Sequence, residues 1–331
     1  MAAPAAVSFQ HVVKEYESSK RVIDNVSFDV ARGAFVVLLG PSGCGKTTLL
    51  KTVNRLIEPT SGTILVNGAD ARALEPTTLR RGIGYVIQQI GLFPHMRVAE
   101  NVAVVPSLLG WPKDRIATRV EQMLDLVHLP AGQFGERFPA ALSGGQQQRV
   151  GLARALAADP DILLMDEPFG ALDAIERTRL QSELASLQQQ LRKTVLFVTH
   201  DVDEALRLAD AIVIMRTGRI VQYGRPREIL ARPADSFVAE LVNAGDLVRL
   251  FSLMKVREVT LVAADSLEGS DAESNVPAID QNSDLRTALS LMLAAGAFHL
   301  NVVDESQKRL GALTLETMLT AAHAAGVGDS A

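Results

Sequence analysis

The chain has 331 residues, enough for two or three domains and for at least one well-buried core. Hydrophobic residues make up 47% and charged residues 21%, an ordinary globular balance, and no run of about 18 uninterrupted apolar residues predicts a membrane span. The net charge of −5 is uneven: residues 251–331 hold five Lys and Arg against eleven Asp and Glu, and no basic stripe marks a nucleic-acid or lipid surface. The single cysteine, Cys44, excludes an internal disulfide framework and suits a reducing compartment. The apolar start, Met1–Val7, is short and lacks a basic head, so no secretory signal is expected.

In chain order, Val7–Phe9 and Val26–Val30 alternate as strands of a small antiparallel sheet. Phe35–Leu39 is a continuous apolar run of the kind found in buried parallel strands, and it feeds a glycine-rich loop and an amphipathic helix with Leu49, Leu50 and Val53. A strand and turn follow at Ile64–Val66 and Gly68. Helical spacing then dominates from Pro94 to about Gln133, with a further helix after Ser143. Strands at Ile162–Met165, Val195–Val198, Ile212–Met215 and Ile220–Val221 flank a helix through Leu180–Leu191. Strands alternating with helices predict an α/β domain with a mainly parallel core sheet, interrupted by a helical insertion at about 90–155. Beyond Asn243 the texture changes. Asp265–Asn275 reads as an acidic loop, and Leu285–Ala295, Leu300–Val303, Arg309–Thr314 and Leu315–Ala322 read as the helix, strand, strand and helix of a small second domain.

Gly40, Pro41, Ser42, Gly43, Cys44, Gly45, Lys46, Thr47 and Thr48 match the phosphate-loop pattern at every fixed position, between an apolar strand and a helix. Glycines let successive backbone N–H groups curl around a polyphosphate, and the following helix turns its positive end toward the anion. Lys46 can neutralise the β and γ phosphates of ATP, and the Thr47 hydroxyl can ligate Mg²⁺. The apolar strand Ile162–Met165 ends in Asp166 and Glu167. The first carboxylate is placed to hold Mg²⁺ or its waters, and the second to take a proton from an attacking water.

Ser143 and Gln146 form an S-x-x-Q capping box at the head of a helix. That box leaves Gly144 and Gly145 unexplained, because glycine in a first helical turn costs about 1 kcal/mol relative to alanine. Bare N–H groups there suit a second phosphate contact. With these segments in order, the chain resembles the nucleotide-binding subunits of ATP-binding cassette (ABC) transporters over roughly residues 5–245. Gln88 stands where the family has its Q-loop glutamine, Ala171, Leu172 and Asp173 match its D-loop, and His200 matches its switch histidine. Tyr16 falls where the family stacks an aromatic ring on adenine.

The resemblance implies a homodimer with two copies head to tail. Lys46 of one copy and Ser143, Gly144, Gly145, Gln146 and Asp173 of the other would then clamp one ATP. It also implies Glu167 as the base, His200 as a holder of γ-phosphate and water, and Gln88 with Thr47 and Asp166 in the Mg²⁺ and water shell. Gln88-Gln89, the following Ile90–Met96, Asn54–Gly62 and Val105–Pro112 resemble the subfamily that imports quaternary-amine osmoprotectants such as glycine betaine, choline, carnitine and proline betaine. Integral-membrane permease subunits, an extracytoplasmic solute-binding protein and a peripheral position on the cytoplasmic face of the inner membrane are implied with it. An importer of an amino acid, polyamine or sulfonate is the alternative. A cassette acting on nucleic acid or ribosomes would carry basic or coiled-coil insertions, which are not visible. Residues 250–325 resemble a single CBS-like module, either regulatory or only dimerising, most clearly at Leu300–Glu305 and Leu310–Thr314.

Overall fold

The structure, a computed structural model, describes residues 5–16, 21–88, 91–170, 172–263 and 276–327. It divides into two compact units, one through Tyr223 and one from Gly224. In the first, β1 (Ala5–Glu15) and β2 (Arg21–Ala31) pair antiparallel. Both outrun the expected strands. The register of β1 slips between Phe9 and Val12, where His11 takes φ 52°, and Asn25 takes φ 56° in β2. Such bulges break the two-residue alternation without ending the pairing, so periodicity alone underestimates the strands. Beyond the slip Val12 returns to the core, and Phe9 stacks on Phe28 with ring centroids 4.5 Å apart.

Next come β3 (Phe35–Leu39), α1 (Lys46–Val53), β4 (Ser61–Val66), β5 (Ala69–Asp70), α2 (Pro76–Arg81) and β6 (Ile83–Val86). The helical insertion holds α3 (Val98–Leu108), α4 (Lys113–Leu126), α5 (Ala131–Phe134) and α6 (Gly144–Leu156). The chain then returns as β7 (Ile162–Asp166), α7 (Ala174–Leu191), β8 (Thr194–Thr199), α8 (Val202–Leu208), β9 (Ala211–Arg216) and β10 (Arg219–Gly224). One sheet runs β2-β1-β4-β5 and the other β10-β9-β3-β8-β7-β6. In the second, β3 pairs parallel with β8 and β9, and β7 with β6 and β8. Every residue of β3, β7 and β8 is buried, as a central parallel strand requires, which explains the apolar runs Phe35–Leu39, Ile162–Met165 and Val195–Val198. The expected cassette is therefore present: a parallel core sheet, an antiparallel subdomain, and a helical insertion leaving after β6 and rejoining at its neighbour β7.

The second unit contains α9 (Pro226–Ala231), α10 (Ser236–Val242), α11 (Leu247–Ser252), β11 (Ala278–Asp280), α12 (Leu285–Ala295), β12 (His299–Val303), β13 (Arg309–Thr314) and α13 (Leu315–Val327). β12 pairs parallel with β11 and antiparallel with β13. Phe251, Leu285, Leu300, Val302, Leu313 and Met318 are among the residues of its own apolar core. Asp284 caps α12 by accepting from the Thr287 N–H at 2.8 Å, and Gly296 closes it at φ 61°, which fixes the helix at its expected limits. β11, three residues long, and the short helices α2 and α8–α11 carry too little periodicity to be anticipated. The expected acidic loop at Asp265–Asn275 lies outside the described residues. No helix among the described residues is long and apolar enough to cross a membrane.

Candidate functional site

β3 ends at Leu39 and the loop that follows turns into α1 through Gly45, which has φ 107°. A Cβ on Gly45 would stand 2.5 Å from the Val22 carbonyl, so both conformation and space demand glycine there. Gly40, Cys44 and Gly45 are buried, while Pro41, Ser42 and Gly43 form an exposed rim. α1 has no side-chain cap and no acidic residue in its first turn. Its leading N–H groups are therefore left for an anion. The Lys46 ammonium is buried and folds back to donate to the carbonyls of Gly40 at 2.7 Å and Pro41 at 2.9 Å. An arriving phosphate competes for a cation already held inside the loop. Burial pushes the Cys44 thiol up, with Lys46 opposing in part, so it stays protonated and serves the loop through its backbone.

β7 delivers the two carboxylates. Thr47 Oγ1 donates to Asp166 Oδ1 at 2.7 Å, and Lys51 Nζ lies 3.9 Å from Asp166 Oδ2. The chain turns at Glu167, whose φ of 43° is strained for a residue with a side chain, and its N–H is tied to the Val198 carbonyl at 3.0 Å. That turn swings its carboxylate off the strand. Gln88 Nε2 donates to Glu167 Oε2 at 3.2 Å, and His200 Nδ1 lies 3.4 Å from the same oxygen. Gln88, Glu167 and His200 arrive from the ends of β6, β7 and β8, adjacent strands of one sheet. Parallel strands place these ends at one edge, so residues far apart in sequence meet as a matter of topology.

Ser143, Gly144, Gly145, Gln146 and Asp173 gather separately. The capping box is formed: Ser143 N–H donates to Gln146 Oε1 at 3.0 Å, and Gln146 N–H to Ser143 Oγ at 3.3 Å. Asp173 caps α7, accepting from Ile175 and Glu176 N–H at 3.1 and 3.0 Å. These residues line a cleft of about 510 Å³ with His128, Arg149 and Glu176, and no phosphate-loop residue is in its wall. The two glycines differ. A Cβ on Gly145 would stand 2.4 Å from a Glu176 carboxylate oxygen, whereas Gly144 is exposed, with Leu172 its nearest neighbour at 3.8 Å. Gly145 therefore has a packing reason, while Gly144 leaves the first turn of the capped helix without a side chain over it. Tyr16, at the end of β1, is 46% exposed, and the Lys14 ammonium sits 5.0 Å from its ring centroid.

Similarity to known proteins gives this geometry its family. Residues 23–170 match the ABC transporter family. The chain is 46% identical over 310 residues to the carnitine transport ATP-binding protein of Listeria monocytogenes, covering 94% of this chain and 75% of that protein. The chain belongs to the ATP-binding proteins of ABC transporters. The glycine betaine uptake system ATP-binding protein of Escherichia coli is 46% identical over 318 residues, 96% of this chain and 100% of that one. The osmoprotectant import ATP-binding protein of Salmonella typhimurium is 50% identical over 258 residues, 77% and 68% of the two chains. Among solved structures, an ATP-binding cassette caught as a post-hydrolysis dimer with ADP and Pi superposes with a TM-score of 0.60 at 32% identity, covering 66% of this chain and 98% of that one.

In this ABC ATPase the pairing of Thr47 with Asp166 fits magnesium, which takes hard oxygen ligands, few from protein and the rest from phosphate and water. No group of three or more His, Cys, Asp or Glu that could cage a metal exists among the described residues. Sequence reasoning missed the residues that brace the site. Glu204, buried on α8, accepts from Thr199 Oγ1 at 2.6 Å and Gln181 Nε2 at 3.1 Å, and Thr199 Oγ1 in turn accepts the Asp201 N–H at 2.9 Å. This chain of bonds sets the loop that carries His200. Burial pushes the Glu204 carboxyl up, and the Thr199 hydrogen bond opposes it. Arg149, also buried, ties α6 to α7 through Glu183 at 2.8 Å. A buried Glu within Glu204-Ala-Leu-Arg, beside an apolar strand, is the one sequence signal that could have found the first of these.

Proposed function

We propose that this ABC ATPase is the energy-coupling subunit of a binding-protein-dependent importer of quaternary-amine osmoprotectants. The observation that carries the substrate class is the identity to carnitine and glycine betaine transport proteins over 94% and 96% of this chain, a span that takes in both compact units. The subunit acts beneath integral-membrane permease subunits, fed by an extracytoplasmic solute-binding protein, as a peripheral protein on the cytoplasmic face of the inner membrane. Residues 1–245 are read as its nucleotide-binding domain and 250–325 as a single CBS-like regulatory domain.

ATP enters on Gly40–Thr48 with its adenine on Tyr16. Lys46 exchanges two loop carbonyls for phosphate oxygens. Thr47, Asp166 and Gln88 would hold Mg²⁺, which would supply charge neutralisation at the phosphates. Glu167 polarises the attacking water, and His200 orients that carboxylate and the γ-phosphate. The separate cleft of Ser143, Gly144, Gly145, Gln146 and Asp173 supports a site completed in trans, because no phosphate-loop residue of the same subunit lines it. Two copies then close head to tail around two ATP molecules.

ATP-driven uptake by the reconstituted complex, scanned with glycine betaine, choline, carnitine and proline betaine, tests the substrate class. Transport of at least one of them is expected. Uptake of an amino acid, polyamine or sulfonate with none of these amines contradicts it.

A further inference from the structure

Tyr85, on β6, has no part in the nucleotide chemistry described above. In the parallel register it stands opposite Leu164 of β7. Strand side chains alternate, so Tyr85, Leu164 and Asp166 project to one face, with Asp166 about 7 Å further along. The Tyr85 hydroxyl oxygen is fully enclosed and has no hydrogen-bond partner. The Asp166 carboxylate lies close enough to the hydroxyl to act on it directly. Buried hydroxyls without partners are rare and costly. This one lies near a carboxylate that has room for a further donor: Oδ1 accepts from Thr47, while Oδ2 has only the Lys51 ammonium at 3.9 Å.

We propose that Tyr85 is a positioning residue for the metal-binding carboxylate, its hydroxyl donating to Asp166 once nucleotide and metal are bound. Outer-shell hydrogen bonds of this kind fix the rotamer of a ligating carboxylate and so set how well the metal is held. β6 also leads into Gln88, which donates to Glu167. One strand end would thus steady both carboxylates of the site. The inference rests on reading this site as an Mg·ATP site.

The test titrates Mn²⁺, as a probe for Mg²⁺, onto the full chain saturated with a non-hydrolysable ATP analogue, with bound Mn²⁺ read by electron paramagnetic resonance. Analogue affinity without metal is measured in parallel. Tyr85→Phe is expected to weaken Mn²⁺ binding about tenfold, the lower end for outer-shell losses, and to leave metal-free analogue binding within twofold. A merely structural hydroxyl without a partner predicts the opposite pattern: Tyr85→Phe unfolds at a higher temperature and binds Mn²⁺ as the wild type does. That result overturns the proposal. Tyr85→Met, which keeps an apolar filler, guards against an aromatic packing effect, and full Mn²⁺ affinity in it also overturns the proposal. A wild-type chain that binds no Mn²⁺ with the analogue overturns the Mg·ATP reading itself, and the role of Tyr85 with it.

Discussion

Glu167 sits at a strained φ of 43°, and its carboxylate touches two side chains from neighbouring strands. Strain of this kind costs roughly 1–3 kcal/mol and persists where function uses the resulting geometry. Here it turns the second of two adjacent carboxylates away from Thr47 and toward Gln88 and His200. Backbone conformation thereby gives the two adjacent acids different partners. Glu167→Gln is expected to bind ATP normally and to lose hydrolysis by about 10²- to 10⁴-fold, the range for a general base, in a steady-state phosphate-release assay. Near-normal turnover would remove Glu167 from that role. Thr47, Asp166 and Glu167 were legible because each lies in a contiguous motif whose spacing reflects one local structure, a loop or a strand end. Gln88 and His200 were placed only by the family resemblance. Contacts between distant segments were not legible. Nothing in the sequence joins Thr199 to Gln181 through Glu204, or Arg149 to Glu183, because each pair is made by packing after the elements have formed.

At the scale of elements, α7 begins with Asp173, which accepts two backbone N–H bonds and so caps a helix of 18 residues. Asp173→Ala is expected to cost about 1 kcal/mol of stability, the usual loss of a cap, seen as a lower midpoint in thermal unfolding. An unchanged midpoint would mean that α7 is held by its packing alone. α8 carries Glu204, buried and with its carboxyl pushed up from the ordinary value of 4.5. For an acid with a raised folded pKa, the folded state favours the protonated form. Its contribution to stability is greatest below 4.5 and falls as pH rises from there through the raised folded value. Glu204→Gln keeps an acceptor for Thr199 and removes the titration. Its unfolding midpoint is expected to fall less than the wild type's as pH is raised from 4.5 toward neutral. Parallel curves for the two proteins would show that Glu204 ionises without cost. The strand limits show the same boundary of legibility: β3 and α12 match their expected limits, whereas β1 and β2 outran theirs because bulges at His11 and Asn25 hide the alternation.

At the scale of the whole molecule, the proposed function makes the phosphate loop and the Ser143–Gln146 helix head two partial sites on one chain. Thr47 of the loop bonds Asp166, and the neighbouring Glu167 meets Gln88 and His200, yet the head of α6 opens into a different cleft. The most direct test is the mass of the Glu167→Gln chain by light scattering, with and without Mg·ATP. A head-to-tail site predicts a shift from 35.6 kDa to twice that mass on adding nucleotide. It also predicts that adding Ser143→Arg abolishes the shift without abolishing ATP binding. A chain that binds ATP and stays at the monomer mass, or a dimer indifferent to Ser143→Arg, would contradict it.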